Sequence, residues 1–115
     1  MKMKLFGAAT LAAISVPALA ENFDGKWAVQ MKTEKGSCDP AVSTTLGVQG
    51  GRIEEAGLII SARGTVDARG QVSVQVSGGG DTMAARGVLA RNAGSGTWTS
   101  PSRQCSGRWS ASREG

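Results

Sequence analysis

The chain has no histidine and no tyrosine in its 115 residues, and its only thiols are Cys38 and Cys105. Missing imidazole removes the commonest general base and a leading metal ligand together. No Ser–His or Cys–His nucleophile can be assembled. Helix signals are also missing. Nowhere beyond Ala20 do apolar residues recur at three-four spacing, and the 17 glycines are too frequent for helix interiors, where each costs about 1 kcal/mol against alanine. Beyond Ala20 no apolar stretch approaches the roughly 20 residues that cross a bilayer as a helix.

Nine carboxylates remain for acid–base work, and their positions argue against it. Glu54 and Glu55 are adjacent, which on a strand sends them to opposite faces. Asp24, Glu34, Asp39, Asp67 and Asp81 fall at turn signals or strand ends, where Asp serves local hydrogen bonding. Asp81 beside Gly78-Gly79-Gly80 is one carboxylate, whereas calcium takes six to eight oxygen ligands. Met31 and Met83 sit where alternating core residues are expected, so haem ligation is not assigned to them. No catalytic residue, metal or cofactor is expected.

What is present begins with an export signal. Lys2 and Lys4 precede the apolar run Leu5 to Val16, and Pro17-Ala18-Leu19-Ala20 ends in small residues, the order of a cleavable leader. Residues 1–20 therefore read as a signal peptide cut after Ala20, with Ala18 and Ala20 in the peptidase pocket. Residues 21–115 form one exported domain, periplasmic or secreted, with no membrane span after cleavage. In an oxidising compartment Cys38 and Cys105 are expected to form a disulfide. No Cys-x-x-Cys spacing supports a redox-active thiol. Losing Lys2 and Lys4 lowers the formal net charge from +4 to +2. The remaining arginines stand singly among Gly, Ser and Ala without a basic run, so nucleic acid is not an expected partner.

Period-two alternation replaces helical periodicity. Trp27, Val29 and Met31 share a face, as do Val42, Leu46 and Val48. Leu58, Ile60, Ala62 and Val66 line a longer, bent segment. Val72, Val74 and Val76 alternate cleanly with Gln71, Ser73, Gln75 and Ser77, and Ala85, Gly87 and Leu89 continue the series. Turn signals such as Gln49-Gly50-Gly51, Ala68-Arg69-Gly70 and Ser77-Gly78-Gly79-Gly80-Asp81 separate these runs. The pattern predicts an all-β antiparallel meander closed into an eight-stranded barrel, because closure leaves no exposed edge. A two-sheet β-sandwich is the alternative.

The triplet Gly-x-Trp recurs at Gly25-Lys26-Trp27, Gly96-Thr97-Trp98 and Gly107-Arg108-Trp109. Each glycine shares a strand face with its own tryptophan, so an indole leaning over that gap would suit a tightly curved wall. Trp27, Trp98 and Trp109 are thus core aromatics or the floor of a ligand site. Phe23-Asp24-Gly25-Lys26-Trp27, Gly94-Ser95-Gly96-Thr97-Trp98 and Cys105-Ser106-Gly107-Arg108-Trp109 together resemble a group of small exported β proteins of alphaproteobacteria, largely uncharacterised. That resemblance covers most of the exported chain and implies compartment and fold without an activity. More distantly, the early Gly-x-Trp opening a meander is similar to the calycin barrels, the lipocalins and avidins, in which the Trp plugs the closed end.

By elimination the expected function is binding, not catalysis. In one version the loops contact a protein or an envelope polymer through Lys35, Asp39, Asp81 and Arg103. Another is a protease-inhibitor-like barrel. In a third the barrel carries a small apolar ligand near Trp27, Trp98 and Trp109, although a barrel this small is expected to be filled by its own side chains. Under non-reducing conditions, mass spectrometry of the exported protein should give the mass of residues 21–115 less two hydrogens. An intact leader or free thiols would contradict the export reading or the bridge respectively.

Overall fold

A computed structural model describes residues 22–56 and 60–114. The proposed leader, with Ala18 and Ala20, and Leu58 lie outside the described residues. The chain forms eight strands in sequence order: β1 Gly25–Lys35, β2 Ala41–Gln49, β3 Arg52–Ala56, β4 Ile60–Val66, β5 Gln71–Gly78, β6 Asp81–Leu89, β7 Ala93–Ser100 and β8 Cys105–Arg113. Every strand pairs antiparallel with its sequence neighbours, and β1 also pairs with β8, closing the barrel. That seam excludes the two-sheet sandwich.

Local chemistry explains three of the seven strand connections. Gly50-Gly51 joins β2 to β3, and Gly79-Gly80 joins β5 to β6, with φ between 60° and 85° at all four positions. Positive φ at both central residues matches the right-handed twist of the flanking strands. Between β4 and β5, the Asp67 carboxylate accepts the backbone N–H groups of Arg69 and Gln71, each at 2.9 Å. Strand β5 shows the expected alternation: Val72 and Val74 are buried, Val76 is half-buried, and the intervening polar residues are exposed. The bent segment around Ile60 resolves into β4, preceded by the separate short strand β3. β3 carries one large apolar residue, Ile53, beside two glutamates, so it lacks a clear alternating signature.

Two of the three glycine–tryptophan triplets meet across strands, whereas Trp27 is in register with Leu46 and Arg113. Trp98 is in register with Gly107 on β8, and Trp109 with Gly96 on β7, which is in turn opposite Gly87 on β6. A Cβ on Gly96 would overlap the Arg86 carbonyl oxygen and come within 2.7 Å of the Trp109 indole. One on Gly107 would overlap the Lys32 carbonyl oxygen. The indole N–H groups reach across these gaps: Trp109 donates to the Arg86 carbonyl at 3.1 Å, and Trp98 to the Lys32 carbonyl at 3.2 Å. The expectation that each indole covers its own glycine is corrected for a geometric reason. Same-strand residues two apart are separated by about 6.8 Å, whereas paired residues on adjacent strands lie about 4.5–5.5 Å apart.

Replacing Gly96 with Ala should lower stability by about 2–3 kcal/mol, because backbone and indole must both give way. At Gly47 an added Cβ meets nothing within 4 Å, so Gly47→Ala should change stability by less than about 0.5 kcal/mol. Urea unfolding midpoints of the two variants check the contrast.

Candidate functional site

Inward positions divide the barrel into a closed floor, an apolar middle and a polar mouth. At the floor Trp27 is only 2% exposed, and its indole N–H donates to the Phe23 carbonyl at 2.9 Å. The Arg113 guanidinium lies 4.7 Å from the centroid of the same ring. It donates to the carbonyls of Asp24 at 2.6 Å, Asn22 at 2.9 Å and Arg91 at 3.0 Å. One side chain thereby satisfies three backbone carbonyls and covers the aromatic face, a favourable cation–π arrangement. Buried Phe23 and Val66 complete the plug.

Above the floor the barrel holds a cavity of about 550 Å³. Its middle is lined by Val29, Met31, Leu46, Val74 and Met83, with Trp98 and Trp109 along one wall. The expectation of a filled interior is thus overturned. Its physical cause lies in small inward residues: Ala62, Ala85 and Ala111 contribute single methyl groups, while Gly87, Gly96 and Gly107 contribute none. The indoles of Trp98 and Trp109 are drawn along the wall by their carbonyl partners on neighbouring strands, leaving the axis open. All three tryptophans line this space, but only Trp27 is at the floor. Trp109 is in register with Met31 at mid-height, and Trp98 with Gly107, which is opposite Thr33 near the mouth.

Ser43 and Thr44 of β2 add hydroxyls to the wall, while charged groups on the lining gather at the mouth. Thr33, Asp39, Asp81, Ser100 and Arg103 border it, together with half-exposed Val42. Among the described residues the charged groups on the lining are Asp39, Asp81 and Arg103 alone. Arg103 and Asp81 approach to 3.9 Å with both side chains about half exposed. Their attraction is weakened by solvent and exceeds hydrogen-bond reach. Ser100 donates to the Thr82 carbonyl at 2.7 Å, tying β7 to β6, and Thr33 donates to the Asp39 carbonyl at 2.6 Å, tying β1 to the loop that follows it. Of the loop residues singled out by sequence, Asp39, Asp81 and Arg103 therefore converge at one mouth. Lys35 ends β1 outside the lining, next to a register shift between Thr33 and Lys35.

The disulfide Cys38–Cys105 spans 67 residues of sequence and pins the β1–β2 loop to the first residue of β8. Cys105 is buried and Cys38 borders the cavity. A bridge of this kind is consistent with an oxidising, exported compartment. Met31 and Met83 are packed against the core, as their alternation indicates. Asp24 stands just before β1, where its carboxylate accepts the Gly50 N–H at 2.9 Å.

No protein-family model and no curated protein matches this chain. Its site must therefore be interpreted from its own geometry. The missed feature, the cavity, had a signal in the run of alanines and glycines at inward parity. Arg113 had none, because its partners Asn22 and Asp24 lie some ninety positions upstream.

Replacing both cysteines with serine should lower stability by roughly 4 kcal/mol in the chain-entropy picture of a loop this long. Urea denaturation, followed through tryptophan emission, checks the magnitude.

Proposed function

We propose that this protein is an exported, non-enzymatic binding barrel that takes a small, predominantly apolar molecule end-on through its open mouth. The observation that carries this reading is the apolar cavity of about 550 Å³. It falls in the range of about 300–1,000 Å³ typical of ligand pockets, with mostly apolar walls and its charged groups at one end. An apolar molecule gains by leaving water for such walls. A polar end group would meet Asp39, Asp81, Ser100 or Arg103 at the rim. Trp27 at the closed end agrees with the calycin likeness in architecture, and the leader-like residues 1–20 together with the bridge support export to the periplasm or beyond.

Convergence of Asp39, Asp81 and Arg103 on one mouth supports a second reading, in which the same loops grip a protein partner. The cavity distinguishes the two readings, since a loop surface for protein contact needs no void behind it. An inhibitor-like loop finds little support in the short connections at this end.

N-phenyl-1-naphthylamine, an uncharged aromatic probe, should bind saturably at one site per chain and quench tryptophan emission. Val76→Trp places an indole in the void and should abolish that uptake while leaving the melting temperature within a few degrees. Absence of saturable uptake of both this probe and decanol by the wild-type protein would refute the ligand reading.

A further inference from the structure

The outward face of β6, β7, β8 and β1 carries a row of residues that the strand register places side by side. Arg86 is opposite Thr97, Thr97 is opposite Arg108, and Arg108 is opposite Lys32. All four are exposed. Cations widely spaced in sequence thus form a short line across four adjacent strands. Arg86 and Arg108 are two strand steps apart, about 9–10 Å. Lys32 directly faces Arg108, and like charges in that position disfavour the sheet. Glu34 answers part of this repulsion, 3.2 Å from Arg108. Arg86 and Lys32 have no ion-pair partner among the described residues.

Two further observations point to a ligand with spaced anionic groups. Within β5 to β8 the sole carboxylate is Asp81, and it borders the cavity mouth. Around the cations most of the outer face is small and hydrogen-bonding, with Ser95, Thr99, Ser106 and Ser110 exposed or half-buried beside Thr97, while Ala84 and Val88 flank Arg86 on β6. Its backbone is also held from within. The carbonyls of Arg86 and Lys32 are the ones that accept the Trp109 and Trp98 indole N–H groups, so the backbone under two of the three cations is tied to the barrel interior. Trp27, Trp98, Trp109 and Phe23 are all buried, and this face offers no aromatic ring on which a base or a neutral sugar could stack.

We propose that this wall is a docking surface for an acidic polysaccharide. Carboxylates of uronic-acid units would pair with Arg86, Arg108 and Lys32, and the surrounding hydroxyl groups would hydrogen-bond the sugar rings. Arginine suits such carboxylates through its two-pronged N–H geometry. An extended uronate chain presents alternate carboxylates on one side at a repeat comparable to the Arg86–Arg108 spacing. The proposal is independent of the cavity, which opens at the end of the barrel and not through this wall.

The test is affinity electrophoresis of the disulfide-bridged exported domain through gels containing polygalacturonate, with neutral dextran and duplex DNA as comparators. Polygalacturonate should retard the wild type. Arg86→Gln and Arg108→Gln should each weaken that retardation at least tenfold with unchanged melting temperatures, and Glu34→Gln should strengthen it. Arg52→Gln, on β3 across the barrel from β7, should leave it unaltered. Equal losses in Arg52→Gln would reduce the effect to net charge and overturn the site, and so would equal retardation by duplex DNA. No retardation by polygalacturonate would overturn the proposal outright.

Discussion

The β1–β8 seam is the constraint on which the rest of the molecule depends, because a meander that failed to close would expose two strand edges to association with other chains. Three different interactions hold it at three heights. At the floor, Arg113 on β8 reaches the carbonyls of Asn22 and Asp24 and covers Trp27 on β1. Midway, the missing Cβ of Gly107 lets the Lys32 carbonyl approach β8 closely, and Trp98 secures that carbonyl from inside. At the mouth, the Cys38–Cys105 bridge fastens the loop after β1 to the start of β8. Hydrogen bonds, close approach and a covalent link thus act on one pair of strands.

Closing a small barrel this way has a consequence for its interior. Tight curvature requires glycine where strands crowd, and glycine and alanine leave volume at the axis that larger residues would occupy. The indoles that cover those gaps are drawn sideways by carbonyls on neighbouring strands, so three tryptophans coexist with a cavity instead of filling it. The same carbonyls belong to Lys32 and Arg86, whose side chains point outward. Inner wall and outer wall are therefore coupled through single residues: what fixes the lining also fixes the backbone that carries the external cations.

Much of the architecture was legible along the chain. Alternation in Val72, Val74 and Val76 marked β5, and adjacent glycines marked two of the hairpins, because both signals are local. β3 was obscured since Ile53 is flanked by charge and owes its burial to strands on either side. The disulfide was legible from the leader-like order of residues 1–20 and from the presence of just two cysteines. Arg113 was not, because nothing local distinguishes an arginine that will clamp the floor from one that will face water.

The sequence by itself determined the all-β class, the turn positions, the pairing of the two cysteines and the inward parity of the tryptophans, since each follows from residue type and a period of two. Only the tertiary structure decided which glycines face Trp98 and Trp109, that the interior is hollow, and that Asp39, Asp81 and Arg103 share one mouth. It also decided that Arg86, Arg108 and Lys32, isolated along the chain, form one line. These features depend on cross-strand register, and register is settled by barrel closure, when every strand has met both of its neighbours.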